Sequence, residues 1–210
     1  MHRTDAAGPA GPSSTPPGAP VEDDLRARIA REATGLFADR GYSGTAIREV
    51  AEAAGCTKPA LYYHFGSKEG LFLACIRAQT DQFTAMLERS VQRPGPSRDR
   101  MLEGLRSFLE HVRSHSTGIR LLWRAEMHPE SGQPEFDFES VRSRHMGMVK
   151  ERLRHAQEQG EIRGDVDLDD ATYALVGMID QRLDLWMRGG PLPPDLPERL
   201  LNLFFRGVAP

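Results

Sequence analysis

The sequence predicts an all-α fold of about nine helices, with a three-helix N-terminal part and a larger helical C-terminal part. Apolar residues recur three and four positions apart along most of the 210 residues, as they do on one face of a helix. No segment alternates apolar and polar residues with the two-residue period of a strand. Glycine and proline interrupt the apolar stripes where tight connections are expected. We therefore expect helices packed on helices, without a sheet.

Residues 45–68 are the most informative part of the chain, because they predict two short helices joined by a tight turn. Thr45 is the expected N-cap of the first helix, and Gly55 supplies the left-handed backbone that ends it. Thr57 is expected to cap the second helix. Pro59 is tolerated in its first turn, because a nitrogen there has no intrahelical acceptor.

The second of these helices combines an apolar face with a face suited to nucleic acid. Leu61 and Phe65, four residues apart, anchor it to the preceding helix. No acidic residue lies between Ala53 and Lys68. Hydroxyl and basic groups donate to phosphates and guanine edges, and small apolar side chains contact thymine methyl groups. The outer residues are Thr57, Lys58, Pro59, Ala60, Tyr62, Tyr63 and His64.

The same pattern also fits a half-buried core. Two short helices with a glycine turn occur in many all-α proteins, and helix-turn-helix geometry is only one use of that motif. Periodicity alone leaves both interpretations open.

Several positions of this segment match a known pattern: Thr45, Ile47, Val50, Ala51, Ala54, Gly55, Leu61, Tyr62, His64, Phe65, Lys68 and Glu69. Together they resemble the N-terminal signature of the TetR/AcrR family of transcriptional regulators, over about residues 25–75. The resemblance implies a DNA-binding head of three helices. Cys56 departs from the usual valine or isoleucine but keeps the small apolar character. The residues implied to face DNA are Thr45, Thr57, Lys58, Pro59, Ala60, Tyr62, Tyr63, His64 and Lys68.

The charge of the chain does not by itself favour nucleic acid. The formal net charge is −3, and residues 21–66 hold six Lys/Arg against seven Asp/Glu, which gives −1. Phosphate contacts supply most non-specific affinity for DNA, so this balance opposes the DNA interpretation mildly. The acids, however, cluster away from the proposed groove face. We expect specific binding with a modest dependence on salt.

Composition divides the chain into three parts. Residues 1–20, rich in proline, glycine and alanine, are predicted to be a disordered tail. Residues 21–66 are the predicted helix-turn-helix domain, and residues 67–210 the effector-binding and dimerisation domain. The two cysteines form no disulfide framework, and neither a secretory signal nor a membrane span is present. These features predict a cytoplasmic protein.

Further helices are predicted after residue 66, separated by proline and glycine breaks at 93–97 and 128–137. Asp167 is the expected cap of the penultimate helix, and Asp195 with Glu198 mimics a capping box at the last one. Their approximate limits are 67–92, 98–115, 119–127, 138–159, 167–187 and 195–206.

The last two helices predict a homodimer. The final helix is too apolar for an exposed chain end, and the helix before it is nearly surrounded by apolar residues. We expect these helices from two copies to form a four-helix interface. The alternative is that both helices pack within one protomer.

The resemblance also implies a small-molecule pocket in the C-terminal part, for an effector that we expect to be apolar. Methionine-rich walls adapt to varied apolar shapes. Most aromatic and methionine residues at helical spacing are ordinary core, which is the alternative for each candidate. Arg120, Arg124 and Glu126 are candidates for binding a polar end, or else solvated surface. The candidate lining residues are Phe83, Phe108, Trp123, Met127, Phe136, Phe138, Met146, Met148, Met178 and Trp186.

Other chemistry finds little support in the sequence. His111 and His115 have a spacing that can bind a metal, but they lack further ligands nearby. Cys56 and Cys75 occupy apolar helical positions, where cysteine is usually inert. Because no catalytic constellation or phosphate-binding glycine loop stands out, we expect neither an enzyme nor a cofactor.

The sequence therefore predicts a transcriptional regulator, a repressor that a ligand releases from an inverted-repeat operator in double-stranded DNA. The ligand would act through the helix predicted from Ser67 onward. The alternatives are a ligand-responsive activator of the same fold, a ligand carrier or enzyme with a vestigial head, and a protein-interaction scaffold.

Overall fold

The computed structural model describes residues 22–91 and 95–210. In these two ranges the chain forms nine α-helices and no strand, so the predicted all-α fold class is confirmed. The helices are α1 Glu22–Arg40, α2 Ile47–Ala53, α3 Lys58–Phe65, α4 Lys68–Val91, α5 Ser97–Ser114, α6 Ser116–Met127, α7 Phe138–Glu158, α8 Leu168–Met187 and α9 Leu196–Val208.

Two predicted segments lie wholly or partly outside the described residues. They are the tail at residues 1–20 and positions 92–94, which include part of the predicted break between α4 and α5. Among the helices that the structure does describe, none is both long and apolar enough to cross a membrane.

The first core joins α1–α4 with α6. Ile29 and Phe37 of α1 are fully buried together with Leu61 of α3 and Phe72 of α4, and Leu121 of α6 completes the cluster. Burying an apolar side chain of this size stabilises the fold by about 1.5–3 kcal/mol. This core crosses the predicted domain boundary at residue 66, which stays a prediction.

Three aromatic rings occupy the centre of this core. The Phe37 and Phe72 rings meet edge to face with centroids 5.1 Å apart. Tyr42, in the turn after α1, meets the Phe72 ring at the same 5.1 Å separation. Edge-to-face pairs add about 0.5–1.5 kcal/mol beyond their buried area. The trio therefore fixes α1 and the α1–α2 turn against α4.

The second core joins α5, α7, α8 and α9. Leu109, Leu153 and Leu175 lie in it, and most apolar side chains of α9 complete it. The buried α9 residues are Leu196, Leu200, Leu201, Phe204 and Phe205. The apolar character of α9 is thus largely satisfied within one protomer, and it does not by itself require a partner chain.

Several predicted helix caps are confirmed. The Thr57 hydroxyl accepts a hydrogen bond from the Ala60 N–H at 3.3 Å, and the Ser67 hydroxyl accepts one from the Gly70 N–H at 2.9 Å. Asp167 accepts from the second and third N–H groups of α8. Each of these hydrogen bonds satisfies a backbone donor that the helix itself leaves unpaired.

Two other predicted caps are wrong. Ala46, rather than Thr45, precedes α2, and its N–H donates to the Glu49 carboxylate at 3.1 Å. At α9 the Asp195 side chain accepts no capping hydrogen bond, and Glu198 instead accepts from Arg106 Nε at 2.6 Å. A long, charged side chain from α5 outcompetes the local partner in the second case.

A cluster of polar contacts joins the head to the loop after α6. Glu130 accepts from the Ser43 N–H and from Arg124 Nη2, both at 2.8 Å. Arg120 Nη2 donates to Asp39 at 3.0 Å. We call these five residues the head–body latch.

Gly41 makes the close approach in this latch possible. Its φ is +77°, and a Cβ at this position would lie 1.6 Å from Glu130 Oε1. A side chain would therefore suffer both backbone strain and a collision with the carboxylate.

The latch predicts a pH-dependent contribution to stability from Glu130. Partial burial opposes ionisation of this carboxyl, but hydrogen bonds from the Ser43 N–H and Arg124 outweigh it and lower the pKa. A lowered folded-state pKa stabilises the fold above the unfolded-state pKa, and this contribution disappears as pH falls through the folded-state pKa. Glu130→Gln should lose about 1 kcal/mol at pH 7 and progressively less below the usual carboxyl range.

Urea unfolding at pH 7 and in a series below pH 4, at one protein concentration, measures this difference. Glu135→Gln, in the same loop and exposed, is the control and should match the unsubstituted protein throughout. A Glu130→Gln deficit that keeps the same size down to pH 3 would contradict a role for the charge.

Candidate nucleic-acid interface

Helix α3 lies with one face in the first core and the other in solvent. Leu61 is fully buried, whereas Tyr63 is 77% exposed. Phe65 is half-buried and packs on the same core. The outer face of α3, from here on the α3 outer face, comprises Thr57, Lys58, Pro59, Tyr62 and Tyr63, of which Thr57 begins the turn into the helix, with half-buried Ala60 and His64.

The turn before α3 fixes this orientation. Gly55 has a φ of +61°, and the Cys56 N–H donates to the Ala51 carbonyl at 2.9 Å. Arg28 of α1 donates from Nε to the Ala54 carbonyl at 2.7 Å, so α1 holds the end of α2. Cys56 is half-buried against the first core, which explains why a cysteine suffices where the family usually has a larger apolar residue.

The N-terminus of α3 is suited to a phosphate. Its positive end of the helix dipole and its outward N–H groups attract anions. Thr57 closes the first turn, and the Lys58 side chain is exposed beside it. The sequence contributes no carboxylate between Ala53 and Lys68 to repel a phosphate.

The acidic residues of α2 are engaged with basic partners. Glu49 pairs with Arg40 at 2.7 Å, and Glu52 pairs with Arg48 at 3.6 Å. The hydrogen bond from the Ala46 N–H, followed by the one from Arg40, lowers the pKa of Glu49. These pairs reduce the negative potential that the net charge of the head suggested.

The remaining predicted DNA contacts differ from one another. Lys68 Nζ lies 4.4 Å from the Tyr42 ring centroid, so a cation–π contact holds this half-buried ammonium at the start of α4. Thr45 is only 1% exposed, and its hydroxyl donates to the Gly41 carbonyl at 2.8 Å. The expectation that Thr45 faces DNA is wrong, because its side chain closes the turn inside the core.

One basic residue beside α3 was missed by the sequence analysis. The Arg26 guanidinium lies 5.1 Å from the Phe65 ring centroid, over the C-terminal end of α3. No local pattern indicates this position, because the two residues are far apart in the chain. Only the packing of α1 across α3 brings this cation to the end of the recognition segment.

Family models match both parts of the chain. The model described as "Bacterial regulatory proteins, tetR family" matches residues 29–75, which contain α2 and α3. The model described as "Tetracyclin repressor-like, C-terminal domain" matches residues 94–204, more than half of the chain.

The chain belongs to the TetR family of transcriptional regulators. Its α3 is accordingly the recognition helix of a DNA-binding regulator, and the predicted family resemblance is confirmed.

Individual relatives in the TetR family agree. The repressor AcnR of Corynebacterium efficiens is 31% identical over 74% of this chain and 78% of its own length. The repressor KstR2 of Mycobacterium tuberculosis is 27% identical over 80% of this chain and 84% of its own. A TetR-like regulator from Rhodococcus has a solved structure with a TM-score of 0.70 and 27% identity, over 87% of this chain and 94% of that one.

The activator FasR of Mycolicibacterium smegmatis is 31% identical, but over a shorter stretch. Its match covers 48% of this chain and 46% of FasR, so the chain spans less than half of that relative's length.

The structure brings a few of the candidate ligand-binding residues together. Phe83 and Phe108 have ring centroids 5.0 Å apart, and His145 meets the Phe83 ring at 4.7 Å. His145 Nε2 lies 2.8 Å from the Thr84 hydroxyl. Burial, followed by the charge of Arg144, lowers the pKa of His145. This cluster offers an apolar surface with one polar point between α4, α5 and α7.

The other candidates are dispersed. Trp123 contacts His128 at the end of α6, where Met127 is exposed, and Phe136 pairs with Phe138 beside the first core. Met178 packs on the second core, while Met146, Met148 and Trp186 are half-buried.

The three predicted polar candidates of α6 have separate roles. Arg120 and Arg124 belong to the head–body latch, so their binding of a ligand's polar end is not supported. Glu126 pairs with Arg142 of α7 at 2.5 Å, and Arg142 also lies 3.6 Å from Asp180 of α8.

The histidine and cysteine candidates have surroundings that local spacing did not indicate. The His111 and His115 rings stack with centroids 4.3 Å apart, and the described residues contain no group of three metal-ligating side chains. Cys75 is buried, and desolvation raises the pKa of its thiol to about 11. Such a thiol stays protonated and unreactive at neutral pH.

The α3 outer face predicts the effect of removing Lys58. We expect Lys58→Ala to weaken DNA binding and to reduce the slope of log K against log salt by about 0.9 for each phosphate that the lysine neutralises. Fluorescence anisotropy with a bound duplex at several salt concentrations measures both quantities. Lys150→Ala, which removes a lysine paired with Asp169 on α8, is the matched control. Unchanged affinity and slope for Lys58→Ala would exclude this lysine from the DNA interface.

Proposed function

We propose that this TetR-family protein is a homodimeric repressor that binds an inverted-repeat operator and is released by a small-molecule ligand. The observation that carries the proposal is the α3 outer face. It presents hydroxyl, ammonium and phenol groups around a helix N-terminus, and no carboxylate lies among them. Such a surface suits the phosphates and base edges of a major groove.

The proposed direction of regulation rests on the relatives. KstR2 and AcnR, which match most of this chain, are named repressors. FasR is named an activator, and its match covers about half of this chain. An activator is therefore the second candidate. The proposed compartment is the cytoplasm, where a bacterial regulator meets its operator, and we propose no catalytic activity.

The proposed dimer uses α8 and α9. Tyr173 of α8 is 69% exposed and Leu203 of α9 is 63% exposed, and Leu185 is exposed as well. Ala174 and Gly177 are exposed small residues on α8, which would allow close approach of a second helix. A cluster of exposed apolar side chains marks a surface suited to a partner. A two-fold axis through this face would pair two recognition helices on an inverted repeat.

The proposed effector site lies among α4, α5 and α7, where Phe83, Phe108 and His145 meet. Its coupling to DNA has two routes. Helix α4 extends from Phe72 in the first core to Phe83 at this site. Helix α6 reaches the head through the head–body latch. A ligand that favours a different spacing of the heads would change operator affinity by about 1–3 kcal/mol, or roughly 5–150-fold.

Selection of duplexes from a random pool tests DNA recognition directly. We expect enrichment of an inverted repeat whose half-site centres lie about one DNA turn apart, because the two recognition helices of a dimer read successive major grooves. The selection is run at low salt, where phosphate contacts are strongest. Recovery of no inverted repeat would instead favour a ligand carrier, enzyme or scaffold with a vestigial head.

Leu203→Glu tests the dimer. A charge in the proposed α8–α9 interface would be desolvated without a partner, so we expect monomers and a large loss of operator affinity. Sedimentation equilibrium measures the mass. Met127→Glu, which places the same charge at another exposed apolar residue, is the matched control and should stay dimeric. A Leu203→Glu protein that remains dimeric would exclude this face as the interface.

A further inference from the structure

A second cleft lies at the end of the C-terminal part that is distant from α3 along α4. It has a volume of about 450 Å³ and lies between the start of α5 and the second half of α7. Arg100 and Met101 line it from α5, and Met148 and Arg152 line it from α7. We call it the two-arginine cleft. Arg100 also lines an adjoining cleft of about 360 Å³.

Two guanidinium groups face the same space in this cleft. Arg152 is half-buried and donates to the Leu87 carbonyl of α4, and Arg100 Nη2 donates to the Ser97 hydroxyl at 2.9 Å. Burial, followed by the charge of Arg100, lowers the pKa of Arg152, so the two cations repel each other. An anion between them would convert this repulsion into attraction on both sides.

The acid in the lining does little to neutralise this charge. Glu151 is exposed and forms an ion pair with Arg154, an arginine outside the cleft. The guanidinium groups are planar forks whose donors match the two oxygens of a carboxylate. The charge of the cleft therefore favours an anionic group.

The rest of the wall is apolar and adaptable. Met101 is buried, and Met148 is half-buried on the opposite helix. Thioether side chains have several rotatable bonds, and they fit flexible apolar groups better than rigid shapes. An anion alone would leave this part of the wall without a partner.

We propose that the two-arginine cleft binds an amphipathic carboxylic acid, with its carboxylate between Arg100 and Arg152 and its chain along Met101 and Met148. This inference rests on the proposed function, because it assigns the chemical class of the effector. It also supplies a route to the head. Arg152 holds the Leu87 carbonyl near the end of α4, and α4 begins beside α3.

The test compares decanoate with decanol and acetate, by isothermal titration calorimetry on the full-length protein below the micellar concentration. Decanol has the chain without the charge, and acetate has the charge without the chain. We expect decanoate to bind at least about tenfold more tightly than either, since a hydrogen-bonded charge pair and chain burial both contribute. Equal affinity for decanoate and either probe, or no binding of decanoate, overturns the proposal without any substitution.

Arg100→Gln should weaken decanoate binding about tenfold or more and leave decanol binding unchanged, because the substitution removes a charge-assisted hydrogen bond and keeps the apolar wall. Arg144→Gln is the matched control, because Arg144 is an exposed arginine of α7 that pairs with Glu88 outside the cleft. Circular dichroism checks that each variant is folded. Equal decanoate affinity in the Arg100→Gln and Arg144→Gln proteins overturns the assignment.

Operator binding measured on the same samples separates the two levels of the proposal. Decanoate should release the operator from the unsubstituted protein and not from Arg100→Gln. Binding without any change in operator affinity overturns the effector assignment, while intact operator recognition keeps the proposed function. Loss of operator recognition in the unsubstituted protein, without ligand, would instead defeat the proposed function itself.

Discussion

The packing of α1 against the head and the body at once is the constraint on which the rest of the structure depends. Phe37 meets Phe72 of α4 and the Tyr42 ring, and Leu121 of α6 lies in the same core. Because protein cores are close-packed, a displacement of α4 or α6 cannot be absorbed without moving α1. The recognition helix is attached to this core through Leu61, so its position is coupled to that of the body.

Electrostatic interactions reinforce this coupling at the surface. Glu130 joins the Ser43 backbone to Arg124, and Arg120 joins Asp39, so α6 and its loop are tied to both sides of the α1–α2 turn. At the other end of α4, Arg152 is tied to the Leu87 carbonyl. Helix α4 is thus linked to the head at its start and to a charged group near its end, which is the arrangement that the proposed coupling requires.

The two halves use their apolar residues differently. The head buries most of its large apolar side chains in one core and exposes Tyr62 and Tyr63, whose phenol groups suit a wet, charged partner. Helix α9 buries most of its apolar residues in its own protomer and leaves Leu203 outside. The small number of exposed apolar residues on α8 and α9 gives the proposed dimer a defined location.

Local patterns in the sequence determined the helices, the turn at Gly55, the caps at Thr57 and Asp167, and the outer residues of α3, because spacing and backbone chemistry act within a few positions. Only the tertiary structure decided which partners the longer-range residues take. Thr45 closes a buried turn, Arg26 reaches Phe65, and Glu198 pairs with Arg106. Such side chains have many possible partners in the sequence, and the packing of helices that are distant along the chain selects among them.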